Sequence, residues 1–542
     1  MNGDTRTNGN SRLALAALGT ALLIGLLGDQ LILQAQDLGL GFFLWVAALA
    51  GATVALARWI RADRAAADET EPGGAAHGGT ESTGVTPDAT APDGSAPART
   101  AASGEAAGAF RGEGRWLLAG AVLFAACLMW RASSVLQFLD VLAIGLCLGL
   151  AALTLRSGRI SRAGVLTYPA GLVVSAAHHA VGPFCLLFTD VQWKALARGR
   201  RSRYTTAALR GLVIAIPLLL LFGSLLASAD AVFAQLLRSA LAWDAADWLG
   251  RHLFGILFFG FLAAGFLRTV LIQKPDGLPD LRQIQRGTFA LGPIEAGVVL
   301  GLLDLLFLAF VAVQVRYLFG GADLVLATAG LTYAEYARSG FFELLQVTAL
   351  VLPVMLALHW ALPESDGAAH RLYRWLGIPL VCLLFVVMAS AMQRMWLYVQ
   401  EYGLTELRLY STAFMAWLAF LFAWFLATVM RGVRDRFAAG ALTAGLVVLL
   451  LLHALNPEAL IVRTNVAWAQ STGRFDVEYA ASLGSDALPA LTEAVEQLPG
   501  PTADKLARQL RARRGAAPPD DWRTWNWGRY RGALALSDLL TK

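Results

Sequence analysis

The sequence predicts an all-α fold: a polytopic transmembrane bundle of about eleven helices carrying a small helical C-terminal tail domain. Two observations predict it. Apolar runs of roughly 17–25 residues recur from Leu13 to Leu455, each long enough to cross a hydrocarbon core about 30 Å thick. Charged residues are only 15% of the 542, and mean hydropathy is +0.55. A soluble domain carries about 25% charge, so too few polar residues remain here to cover one giant soluble core.

The spans read as 13–34, 39–58, 116–131, 134–155, 208–229, 253–272, 294–316, 340–361, 376–398, 411–430 and 437–455. Residues 1–61 form an N-terminal hairpin and 115–455 the helical core. Between them, 62–114 is rich in Gly, Ala, Pro, Ser and Thr and lacks bulky apolar residues until Phe110. It buries too little to offset its ordering entropy, which predicts a disordered linker. The stretch 163–190 is apolar but interrupted by Pro169, Pro183 and the pair His178–His179. A span, a re-entrant segment and an interfacial helix all fit it.

Charge favours a non-crossing segment there. With eleven spans and a cytoplasmic N-terminus, and leaving out the long linker and the distal tail, inside flanks carry 20 Lys and Arg against 8 outside, as the positive-inside rule requires. Making 163–190 cross would put the arginines at 198–210 outside. The expected location is a bacterial cytoplasmic membrane, with the tail 456–542 external. In the tail, Asn456–Pro457 reads as a helix N-cap and first turn, 485–498 as a second helix and 501–514 as a third. Trp522, Trp525, Trp527 and Tyr530 either anchor at the membrane interface or pack the tail together.

The excess of arginine, with lysine only at 194, 274, 505 and 542, suggests a GC-rich bacterial genome. The first apolar run is too long for a signal peptide's core. A net charge of +5 held in clusters beside apolar runs implies membrane anchoring and no nucleic-acid partner. The four cysteines form no CxxC pair, so neither a disulfide framework nor a zinc site is indicated. Adjacent histidines point to different helix faces, which argues against a metal at His178–His179. No Walker A, HExxH or GxSxG motif is present, and no cofactor is expected.

Two regions concentrate polar signal. Asp304 sits near the middle of a span, with Gly297 and Gly301 on its face; it is either an ion or solute position or a structural hydrogen bond. The loops that parity places outside supply Arg316, Tyr317, Glu335, Tyr336, Arg338, Arg394, Glu401, Glu406, Arg408, Asn456, Arg463 and Asn465. These form either a polar cleft for a lipid headgroup or small solute, or a latch holding helix ends together. At least one Arg–carboxylate pair between different loops is expected, with Arg338 or Arg408 as donor.

RYLFGG, TYAEYARSGFFEL, LYVQEYGLTELRLY, NPEALIVRTN and DVEYAASLGSDALPAL occur in that order. Together they resemble a bacterial membrane family, domain of unknown function four-one-seven-three, to which group four-one-five-three is closely similar. The resemblance covers roughly 130–495 and implies a fold but no mechanism. Transport of a small solute or ion, a membrane scaffold or sensor role, and an enzyme acting on a lipid-linked substrate at the external face all remain open.

Overall fold

The computed structural model describes residues 2–35, 37–69, 113–155, 164–191, 244–273, 291–329, 340–363, 366–513 and 521–541, with isolated positions between 193 and 235. For 315–329 only the backbone is described. Of the expected span 208–229 only isolated positions are therefore described, and nearly all of the expected linker lies outside the described residues. Among those described, ten helices are long and apolar enough to cross a membrane, and Gly114–Trp130 is a shorter apolar helix.

In chain order the helices are α1 (Asn2–Gly28), α2 (Leu40–Glu69), α3 (Gly114–Trp130), α4 (Ser134–Thr154), α5 (Thr167–Cys185), α6 (Asp244–Leu271), α7 (Pro293–Ala329), α8 (Phe341–Ala361), α9 (Gly367–Tyr402), α10 (Glu406–Thr428) and α11 (Phe437–Leu455). The tail adds α12 (Pro457–Thr472), α13 (Val477–Ser482), α14 (Leu488–Gln497), α15 (Gly500–Ala512) and α16 (Trp527–Thr541). Several helices outrun the expected spans. α2 continues past residue 62 because RADRAAADE is alanine-rich and free of Gly and Pro. α9, at 36 residues, is about 54 Å long and extends beyond any hydrocarbon core.

Two apolar cores divide the bundle. α1 to α4 and α6 share one, joined by Leu186 just past α5 and by Leu449 and Leu452 of α11; α7 to α10 share the other, which takes Phe437 at the start of α11. α11 therefore ties the two halves. α1 and α6 pack antiparallel through small residues. A Cβ on Gly25 would collide with Ile256 O and lie 3.0 Å from Gly260 Cα. Close backbone approach of this kind drives association where lipid removes the hydrophobic incentive.

The segment expected not to cross is a continuous helix with the length and apolarity of a span. Proline shapes it as expected only in part. Pro169 lies in the first turn, where a missing N–H costs nothing. Pro183 precedes a π-turn, Leu186–Asp190, into which the helix loosens rather than breaks. Most of its partners lie towards one end of the bundle. Tyr168 clusters with Leu150 and Ala438, Ser175 Oγ donates to Gly149 O, and Asp190 pairs with Arg268 at 2.6 Å. His178 contacts Gln273 at 2.9 Å, just past the end of α6. A helix crossing upright would meet its neighbours progressively from end to end; α5 instead runs obliquely near one end.

The tail has its own apolar core, built on Ile461, Leu491, Leu506 and Leu510, but it is not a free appendage. Leu40 N donates to Trp525 O, Asn526 Nδ2 to Leu128 O and Arg131 O, and Arg529 Nη1 to Asp37 at 2.9 Å. It thus closes one end of the bundle. Trp522, Trp525, Trp527 and Tyr530 are 57%, 39%, 42% and 39% exposed. None of them belongs to the tail's own apolar core, although Trp527 and Tyr530 contact each other with ring centroids 6.0 Å apart.

Candidate functional site

The tail-side end of the bundle brings together ionisable groups from five elements. Asp140 is one turn and a half into α4, and His453 lies in the last turn of α11; they are 1% and 0% exposed. His453 Nδ1 donates to Leu449 O at 2.9 Å, so the 3.0 Å contact from Nε2 to Asp140 Oδ2 needs a single shared proton. Asp140 Oδ1 has no hydrogen-bond partner. The carbonyl of His453 accepts from Arg131 Nε at 2.8 Å, and that guanidinium lies 4.8 Å from the ring centroid of Trp130.

Asp486 enters this end from the tail. Its Oδ2 accepts from Ala132 N at 2.6 Å and Ser133 N at 3.0 Å, satisfying orphan donors at the start of α4. Its Oδ1 has no partner. Burial is the main cause that pushes its carboxyl above the ordinary range; the N–H of Ala132 and the charge of Arg131 oppose that. Glu458 lies in the first turn of α12 and is 3% exposed, with Oε2 unpartnered. Burial, then the negative charges of Asp486 and Glu406, push it up to about 7, against backbone N–H groups of Ala487 and Gly484. Asn456 joins the pieces. It takes a left-handed conformation, φ 52°, which Asn tolerates, caps α12 through Ala459 N, and donates to Asp486 O at 3.4 Å.

The residues singled out in the sequence divide into three sets. Arg316 and Tyr317 fall where only backbone is described, and Glu335, Tyr336 and Arg338 lie outside the described residues. Arg394, Arg408, Asn465 and Glu401 act as joints. Arg394 Nη2 and Ser390 Oγ share Gln314 Oε1 between α7 and α9. Asn465 both accepts from Leu404 N and donates to Leu404 O, fixing α12 to the α9–α10 turn. Glu401 meets Arg474 of the tail at 3.8 Å, with both side chains mostly exposed, a pair of little energetic weight. Arg408 corrects the expectation of a carboxylate partner: it donates to the carbonyls of Tyr402 and Gly403 and lies 4.0 Å from the Tyr398 ring centroid. The turn, with Gly403 at φ 75°, leaves those carbonyls free, and the guanidinium takes them. The cross-loop pair with good geometry is Arg529–Asp37 instead.

Glu406, Asn456 and Arg463 belong to the tail junction itself. Glu406 N donates to Tyr479 OH at 2.8 Å. Arg463, exposed on α12, lines a cavity of about 60 Å³ with Arg131, Asp486, Glu493 and Arg531. Asp304 is at mid-span, half-buried, with Oδ1 lacking a hydrogen-bond partner. Gly297 packs on Leu372 of α9, whereas Gly301 faces open space, so the expected contact forms at one glycine only.

A family model described as a domain of unknown function, DUF4153, matches residues 118–494. The chain belongs to this DUF4153 family. The match is thus to group four-one-five-three, the second of the two similar groups. It takes in α3 to α13 and most of α14, and so includes Arg131, Asp140, His453, Glu458 and Asp486. Helices α1, α2, α15 and α16 lie outside the family region. No curated protein and no solved structure matches the chain.

Sequence reasoning did not assemble Asp140, His453 and Asp486. The available signal was an ionisable residue inside each of two spans: Asp140 in the fourth and His453 in the last. A second such pair joins Asp29 of α1's terminal π-turn to His252 of α6 at 2.5 Å, with Asp29 fully buried. Among the described residues no group of three His, Cys, Asp or Glu is placed to hold a metal ion.

Proposed function

We propose that this chain is a non-catalytic sensor or scaffold component of a bacterial cytoplasmic membrane, whose external tail docks on the bundle in a pH-dependent way. One observation carries the reading. Glu458, buried at the joint between the last span and the tail, has an unpartnered carboxylate oxygen and a proton affinity shifted to about 7. The external placement of the tail is supported by the opposite end of the bundle, which holds Arg268, Arg371, Arg374, Arg431, Arg434 and Arg436, as a cytoplasmic face does.

The docked state holds a proton on Glu458 that the undocked state, near 4.5, releases. Docking is therefore strongest below pH 4.5, weakens as pH rises from 4.5 to about 7, and levels off above. At about 1.4 kcal/mol per pH unit, the full loss is roughly 3 kcal/mol; Asp486, also pushed up by burial, acts in the same direction. The protection of Ala132 N–H and Ser133 N–H in the full-length protein, taken as hydrogen exchange relative to the intrinsic base-catalysed rate at each pH, should fall over that window. Glu458→Gln should remove most of the dependence. Protection that is flat with pH, or that falls as steeply in the variant, refutes the reading.

Asp304 favours a second reading, transport of an ion or small solute, because an unpartnered mid-span carboxylate marks a conduction position by default. Proton flux into proteoliposomes should then fall at least tenfold in Asp304→Asn. Equal flux in the two proteins, or none in the parent, ends that reading.

A further inference from the structure

We propose that the cavity between Arg131, Arg463 and Arg531 binds a phosphate group, as an anionic lipid headgroup or free phosphate presents it. This site adjoins the titrating joint at Glu458, sharing Asn456 and Asp486 with it, but its argument does not rest on the sensor reading. Three guanidinium groups reach it from three elements: the end of α3, the middle of α12 and the first turns of α16. Arg463 and Arg531 are exposed and make no hydrogen bond or ion pair with any described residue. Arg131 is held by its Nε bond to His453 O, which leaves its two terminal nitrogens available. A planar fork of N–H donors matches phosphate oxygens, and several forks converging on one cavity build an anion site.

Two carboxylates also line the cavity, and neither cancels the arginines. Asp486 Oδ2 is taken by the backbone N–H groups of Ala132 and Ser133. Glu493 is exposed on α14 and lies more than 4 Å from the charged atoms of every described arginine and lysine. Charge in the cavity is therefore positive even with both carboxylates ionised. The volume, about 60 Å³, is several times the ~10–15 Å³ that one water needs, room for a tetrahedral oxyanion. Its place in the fold fits a headgroup. Arg131 and Asn456 each follow directly on the last residue of an apolar helix, Trp130 and Leu455. Trp527 lines the cavity and Trp130 directly precedes Arg131; they are 42% and 40% exposed, as aromatics of an interfacial belt are.

The test uses the full-length protein and the double variant Arg463→Gln/Arg531→Gln, which removes no hydrogen bond and should melt with the parent. Lipid retention is read by native mass spectrometry from nanodiscs of phosphatidylglycerol or phosphatidylcholine. Inorganic phosphate is titrated separately by calorimetry at fixed ionic strength. Retention of phosphatidylglycerol over phosphatidylcholine that falls at least tenfold in the variant assigns the site to a headgroup. Phosphate binding lost in the same variant, with no lipid preference, assigns it to the free anion. A control pair elsewhere on the tail, Arg474→Gln/Arg511→Gln, should leave both readouts unchanged. The proposal is overturned if the control pair lowers binding as much as the cavity pair, or if the cavity pair changes neither readout.

Discussion

Asp140→Leu should destabilise the bundle by about 3–5 kcal/mol, the usual cost of removing one partner of a buried ion pair, and His453→Leu should cost a similar amount. Each variant leaves the other polar group fully buried: His453 Nε2 has no alternative to Asp140 Oδ2, and Asp140 Oδ1 is already unpartnered. Asp140→Leu/His453→Leu should recover most of the loss and come within about 1–2 kcal/mol of the parent, because two apolar side chains need no partner where two polar ones did. Chemical denaturation in a fixed micelle, read by tryptophan fluorescence, gives all four stabilities. A double variant no more stable than the worse single variant would show that the pair is not the source of the cost.

What was legible in the sequence was local. The number and rough placement of most helices follow from apolar runs, and the start of α12 from Asn456–Pro457, because a cap and the turn it caps are three residues apart. The helix expected over 501–514, α15, ends with Arg511 in its last turn, as the run of arginines predicts. The junction was not legible in this way. His453 and Asp140 are 313 positions apart, and Asp486 meets Ala132 across 354; neither periodicity nor spacing relates residues so distant. Parity put Arg408 at the right end of the bundle but could not show that a glycine turn would offer it two carbonyls in place of a carboxylate. The oblique course of α5 was hidden for a related reason. Its composition is that of a span, and only its contacts with the ends of α4 and α6 show which way it runs.

Asp486→Ala should release the tail from the bundle. Two backbone donors, Ala132 N and Ser133 N, converge on the single oxygen Oδ2 at 2.6 and 3.0 Å, at a position where Asp486 and Ser133 are 4% and 1% exposed. A buried donor left without an acceptor costs about 1–3 kcal/mol; Ser133 N is buried and Ala132 N half-buried, so the loss is at least of that order and is borne by the docked state alone. Asp486→Asn keeps one carbonyl oxygen for the same two donors and should retain most of the docking. Gly528→Ala approaches the contact from the other side. A Cβ there would overlap Asp486 Oδ1 and lie 3.1 Å from Ala132 N, so it should loosen the tail without touching any charge. Limited proteolysis of the full-length protein in nanodiscs, followed at the segments joining α12 to α16, separates these cases. Asp486→Ala and Gly528→Ala should be cut faster than the parent, and Asp486→Asn close to the parent rate. If Asn behaves like Ala, the carboxylate's charge beside Arg131 holds the tail rather than its hydrogen bonds. If all three are cut at the parent rate, the tail is held chiefly by Asn526, Arg523 and Arg529 at the α1–α2 and α3 ends, and the junction at Asp486 is not its principal anchor.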